Sequence, residues 1–215
     1  MKQLLIKELR LSMHPTALIF LLLSVMLVIP NYPYYVVFFY TGLAVFFTCL
    51  LGRENHDIEY MLIMPIRKCD AVKARFAFVV LQELIQMIIA VPFALIRQHM
   101  PVPPNAVGMD ANIALFGSSL VMMGLFNLVF FGIYYKNPQN VGKAFGVSSI
   151  IVFVYMTVAE ALVHIVPFVR DKLDTSDTMF LGEKLIVLVI GMIVFALTTA
   201  AAYKRAVKSF ETLDI

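Results

Sequence analysis

Six apolar stretches, at 16–30, 34–51, 76–96, 112–135, 144–167 and 184–203, take up more than half of this chain. A helix rises ~1.5 Å per residue, so ~20 apolar residues cross a ~30 Å hydrocarbon layer. The first two stretches are short and are punctuated by Pro15, Pro30 and Pro33. With 61% hydrophobic and 14% charged residues, the chain has too little polar surface to coat a water-soluble globule. Inside lipid each backbone N–H and C=O needs a partner within the protein, which makes helices the expected form of these spans. The sequence predicts an all-α membrane protein with six transmembrane helices. It forms one domain over 1–215, with no soluble domain, low-complexity run or internal repeat.

The net charge of +3 says less than the placement of the charges. The N-terminus, the 52–75 loop, the 136–143 loop and the 204–215 tail carry most of the Lys and Arg, among them Lys7, Arg53, Arg67, Arg75, Lys136, Arg205 and Lys208. The other loops hold only Arg97, Arg170, Lys172 and Lys184, beside Asp110, Asp171, Asp174, Asp177 and Glu183. Such an asymmetry predicts cytoplasmic basic loops and, with an even number of spans, cytoplasmic termini. Lys2, Lys7 and Arg10 precede an apolar segment as in a secretory leader, but no small-residue cleavage site follows Ile29, so a retained helix is expected. Cys49 and Cys69 fall at a span end and in a basic loop, which predicts free thiols. Scattered histidines give no ligand-spaced cluster, and no metal is expected.

Residues 1–13 predict an amphipathic helix lying on the inner surface. Leu5, Ile6, Leu9 and Met13 share one face, and Gln3, Lys7 and Arg10 another. A cytoplasmic extension of the first span is the alternative. Segment 52–75 is the longest and most charged of the basic loops. In it Ile58, Met61 and Leu62 recur at helical spacing behind Glu54, Asp57 and Glu59, acids suited to a helix N-terminus. Pro65 stops that helix, and a second begins near Lys68 or Asp70 and runs into the third span. The apolar run through Met64 favours a docking surface over a merely solvated loop. On the opposite side, Pro101, Pro103 and Pro104 predict an irregular 97–111 loop, and 168–183 is acidic and helix-compatible.

Within the spans, Gln82, Glu83, Gln86, Asn127, Glu160 and His164 are the polar groups to weigh. Ionisable residues in lipid cost a few kcal/mol and usually face a cavity or another helix. Glu83 with Gln86, and Glu160 with His164, share helix faces. They either line a substrate path or proton relay, or they are hydrogen-bonding glue between helices. Gly117, Ser118, Ser119 and Gly124 supply small surfaces, and Gly142 with Gly146 has a spacing associated with helix packing. No phosphate-binding loop, zinc-protease helix or serine elbow is present: Gly142-Lys143 is followed by Ala144. No catalytic role is expected of this chain.

Taken together, the basic N-terminus, the six spans and the stretch Leu62-Ile63-Met64-Pro65-Ile66-Arg67-Lys68, followed by Asp70-Ala71-Val72-Lys73-Ala74-Arg75, resemble the permease subunits of type-2 ABC exporters. Met64 stands where that family often has Leu. The compact size is similar to that of bacterial peptide-exporter permeases such as the phenol-soluble modulin exporter. The resemblance implies a coupling helix over 53–64 that docks on a separate ATPase through Arg53, Glu54, Asp57, Ile58, Tyr60, Met61, Leu62 and Pro65. It implies ATP and Mg in that partner and none bound here, a second permease chain, and re-entrant helices within 160–183. Expected partners are the ATPase, the bilayer and a hydrophobic or amphipathic cargo, with no nucleic acid, at a bacterial inner membrane. The alternatives are an ion-coupled carrier using Glu83 or Glu160, and an intramembrane enzyme or scaffold.

Overall fold

The computed structural model describes residues 2–63 and 65–213, without the side chains of Lys2, Leu11, Ser12 and Leu62. The expectations for Leu62 and Met64 lie outside the described residues. In chain order the helices are α1 (Lys2–Lys7), α2 (Thr16–Leu22), α3 (Tyr35–Glu54), α4 (Asp57–Ile63), α5 (Lys68–His99), α6 (Ile113–Tyr134), α7 (Val141–Ile165) and α8 (Leu181–Glu211). Wider π turns follow α1 over Glu8–Ser12 and α7 over Val169–Leu173, and a 3-10 turn continues α2 over Leu23–Val28. Among the described residues there is no strand.

Five helices, α3 and α5 to α8, are long and apolar enough to cross a membrane. The first apolar stretch differs from the other five. It forms a shorter helical segment over Thr16–Val28, which at ~1.5 and ~2.0 Å per residue for its two parts is shorter than a ~30 Å layer. Pro15 opens it, and past Val28 the chain turns extended at Ile29, just before Pro30. Exposed aliphatic side chains such as Ile88, Leu95, Ile150, Val154, Ile186, Ile193 and Leu197 coat α5, α7 and α8, as an apolar solvent requires.

The closest helix pair is α6 with α8, and its cause is glycine. A Cβ on Gly117 would stand 2.7 Å from the Val187 carbonyl oxygen and 2.8 Å from Leu188, and one on Gly191 would overlap the Gly117 carbonyl. Further along, a Cβ on Gly124 would overlap the Thr198 hydroxyl. The seam therefore advances in the same direction on both helices, and α6 and α8 run parallel. Backbone contact of this kind is what holds helices together where lipid offers no hydrophobic drive. The Gly142/Gly146 spacing plays no such part, since a Cβ at either position would meet nothing within 4 Å. That spacing sits on an exposed face of α7.

One end of the bundle is closed by loop 100–112 and segment 166–180. Arg97 is buried and donates to the Tyr34 hydroxyl and the Pro103 carbonyl, both at 2.8 Å, with Asp110 at 3.4 Å. Gln98 donates to the Ala111 carbonyl (2.7 Å) and to Asp177 (2.6 Å), and Asn112 donates to the Leu173 carbonyl at 2.8 Å. Lys184, also fully buried, donates to the carbonyls of Thr175 and Ser176 at 2.6 Å each. Two of the four cations counted in the sequence on this side, Arg97 and Lys184, are thus structural pins. Burial raises the Asp174 carboxyl above its ordinary range, against the pull of the Asp110 N–H it accepts. The fifth span breaks at Val166, and the chain is helical again only from residue 167 through Leu173. It then enters α8 through Phe180 in the left-handed region (φ 51°), so the helix compatible with 168–183 covers just its first part.

Candidate functional site

The opposite end carries α4 and the residues that brace it. Two residues separate it from α3, and the second, His56, takes φ 53°, a left-handed geometry that costs an L-residue ~1–2 kcal/mol. The His56 ring stands 2.8 Å from Glu59, across one turn of α4. At the far end Pro65 and the extended Arg67 (ψ 136°) separate α4 from α5, because Pro has no N–H to continue a helix.

Four charges, from α1, the π turn after it, α4 and α5, meet at the base of α4. Arg75 Nε lies 2.6 Å from Glu8 Oε2, and Arg75 Nη2 lies 2.7 Å from Asp57 Oδ2. Lys7 pairs with Asp57 and sits 3.2 Å from Glu8. The Arg75 and Glu8 side chains are 4% and 1% exposed. Arg75 Nη1 also approaches the Cys49 sulfur of α3 at 3.8 Å. Two acids and two bases cancel, which is the condition for keeping charge out of water. Such a cluster adds little net stability over apolar packing, but removing one member leaves a buried charge unpaired. Its geometric effect is firm: the π turn after α1, α3, α4 and α5 share one guanidinium. Lys7 is therefore turned into this cluster and not out to solvent, as the amphipathic reading of residues 1–13 required.

The remaining residues of α4 divide into two faces. Met61 is buried and Ile58 packs against the core, while Tyr60 and Ile63 are 64% and 82% exposed. Arg53 reaches the Gln139 carbonyl at 3.4 Å, and Gln139 donates to Glu59 at 3.3 Å, which ties α4 to the loop after α6. Glu54 is exposed beside Arg53 at 3.8 Å, and Pro65 is exposed. α4 is thus a braced platform that holds two apolar side chains out.

Mid-bundle, the structure brings Glu83 to Asn127, whose amide donates to both carboxylate oxygens at 3.0 and 3.1 Å and stands 3.3 Å from Thr199. Three spans, α5, α6 and α8, meet there. Gln86 does not join them; it donates to the Ser24 hydroxyl at 2.7 Å. Gln82 is buried with no hydrogen-bond partner. The cavity beside Glu83, walled by Phe38, Phe39, Met122 and Phe126, has about 10 Å³ of free space, room for about one water. Near the other end, Glu160 sits where a side chain on residue 108 would lie, and His164 faces the Val107 carbonyl at 3.3 Å. Glu160 is packed under loop 100–112, His164 is exposed at its edge, and the two are not bonded to one another. Among the described residues no group of His, Cys, Asp and Glu could hold a metal ion.

Reading the sequence missed Lys7, Glu8, Arg75 and Cys49 as site residues. A guanidinium set between Ala74 and Phe76, in a helical turn whose buried neighbours Ala71, Val72, Phe78 and Val79 are apolar, was the available signal.

No curated protein and no solved structure matches this chain. Residues 3–211, nearly its whole length, match the family described as ABC-2 family transporter protein, a match that does not favour an ion-coupled carrier. That family works in the membrane in association with an ABC ATPase. The chain belongs to the ABC-2 transporter family, as a multi-pass transmembrane subunit of an ABC transporter.

Proposed function

We propose that this chain is the permease of an ATP-driven exporter for hydrophobic or amphipathic cargo, peptides included, with a size like that of the phenol-soluble modulin exporter's permeases. In this reading α4 is the coupling helix. It docks through Tyr60 and Ile63 on a separate ATPase that holds ATP and Mg, in a bacterial inner membrane with both termini cytoplasmic. Glu8 lies at the α4 end of the bundle and Tyr34 beside Arg97 at the other. The chain between them, with Thr16–Val28 at its centre, therefore makes a sixth crossing beside α3. A second permease chain, identical or paralogous, supplies the other half of the path.

The observation that carries this reading is the ion cluster under α4. A push on Tyr60 and Ile63 reaches Asp57 at the base of the helix, and from there Arg75 and Glu8, so force enters α5 and α1 together. A loose loop would absorb the same push. Glu83 and Asn127 serve as interhelical glue, since the adjoining space holds no cargo. Reconstitution with the cognate ATPase tests the reading. ATP hydrolysis is stimulated by the permease, and amphipathic peptide accumulates inside inverted vesicles. Substituting Tyr60→Ala with Ile63→Ser abolishes the stimulation. Stimulation that survives this double substitution removes α4 as the docking element.

A further inference from the structure

Beside the α6–α8 seam, towards the basic end, the two helices line an open groove of about 420 Å³. One part of its wall is apolar, with Leu128 and Ile133, and the other is basic, with Lys136, Arg205 and Lys208. From Leu128 to Lys136 the chain climbs about two helical turns, ~12 Å, so the cations collect where α6 leaves the apolar layer. Gly132 forms the floor, and a Cβ there would meet nothing within 4 Å.

Among the described residues the basic rim is uncompensated, as Lys73, Lys143 and Lys204 also are. By contrast Lys7, Arg53, Arg67 and Arg75, at the same end of the molecule, each stand within ion-pair distance of an acid. Lys136, Arg205 and Lys208 have no acidic partner among the described residues. Three exposed cations with no buried donor beside them hold a free anion weakly, and they leave the apolar wall unused. A molecule with a phosphate at headgroup depth and an alkyl chain below it satisfies both parts at once. We propose that this groove is a binding site for an anionic phospholipid of the leaflet on the basic side. Its phosphate lies among Lys136, Arg205 and Lys208, and one acyl chain lies along Leu128, Gly132 and Ile133.

The full chain, placed in nanodiscs of phosphatidylglycerol and phosphatidylcholine in equal parts, is released into detergent and its retained lipids are counted by native mass spectrometry. It retains phosphatidylglycerol in preference to phosphatidylcholine. Retention falls about fivefold for each cation removed in Lys136→Gln, Arg205→Gln and Lys208→Gln. Gly132→Leu, which fills the floor while leaving the charges in place, also lowers it. Equal retention of the two lipids overturns the proposal, as does a triple Gln variant or a Gly132→Leu variant that holds as much phosphatidylglycerol as the unaltered chain. Displacement of the lipid by inorganic phosphate alone makes this an ion site and equally overturns it. The readout involves no transport, so it stands or falls apart from the exporter reading.

Discussion

At one end of the bundle Arg97, Gln98, Asn112 and Lys184 hold loops by donating to backbone carbonyls spread over residues 103–176. At the other, Arg75, Glu8, Asp57 and Lys7 hold helices through one compact knot of charge. The first arrangement distributes many bonds over irregular backbone that would otherwise be orphaned in a low-dielectric setting. It resists motion in every direction. The second concentrates its charge at a single point, adds the Glu59–Gln139 tie and the packing of Met61 and Ile58, and leaves Tyr60 and Ile63 uncovered. The lever role proposed for α4 needs this second kind of support, braced beneath and free on its outer face.

The largest expected effect comes from cutting the knot. Arg75→Leu strands Glu8 and Asp57 with Lys7 alone, and breaking a buried pair costs about 3–5 kcal/mol. Thermal unfolding of the purified chain in detergent should show a clearly lower midpoint, and protease should then reach α1 first. Adding Glu8→Gln should recover part of the loss, because it removes the stranded charge. An unchanged midpoint for Arg75→Leu would mean that this end is held by packing, and the contrast between the ends would collapse.

The seam tests the fixed end. Gly191→Ala drives a methyl group into the Gly117 carbonyl, a conflict worth about 1–3 kcal/mol of overpacking if the helices shift apart. Gly142→Ala and Gly146→Ala meet open space and should gain up to ~1 kcal/mol in helix propensity. Measured side by side by thermal unfolding, the substitutions should have opposite signs. Loss at all three positions would show that spacing in sequence, and not contact between α6 and α8, decides the outcome.

The five long spans were legible because runs of ~20 apolar residues have one solution in lipid. The Thr16–Val28 segment was less so: Pro15 and Pro30 cut its length, and nothing local says that Leu23–Val28 tightens into a 3-10 turn. The α4 segment could be found from Asp57 and Glu59 ahead of an apolar run closed by Pro65. The knot beneath it could not, because Lys7, Glu8 and Arg75 come together only when α1 folds against α5, a long-range contact with no periodic trace. The charges of Lys7 and Arg75 already have a sufficient reason in topology, and Glu8 stands alone in the sequence as an unremarkable acid. The glycine seam was legible on one side only: Gly117 and Gly124 read as close-approach surfaces and are such. Their partner Gly191 lies far off in sequence, whereas Gly142 and Gly146 are close enough to suggest a motif.

Lys184 measures how far the fixed end depends on its pins. Replacing it with Met keeps the length and apolar bulk but leaves the carbonyls of Thr175 and Ser176 without their donor. A buried acceptor left unmade costs about 1–3 kcal/mol. The loss should appear as proteolysis within 166–180 while α4 and the basic end stay protected. Simultaneous cleavage at both ends would mean that the bundle opens as one unit and that the ends do not differ in mobility.

Tyr60→Ala with Ile63→Ser should change stability least, within about 0.5 kcal/mol, because both side chains lie on the surface and touch no pin or knot. This small effect sharpens the comparison most. If Arg75→Leu lowers both the unfolding midpoint and ATPase stimulation while the Tyr60/Ile63 pair lowers stimulation alone, the knot is the fulcrum and the exposed pair is the contact. If the surface pair lowers the midpoint as far as Arg75→Leu does, α4 is structural cladding, and the free face of the lever is lost.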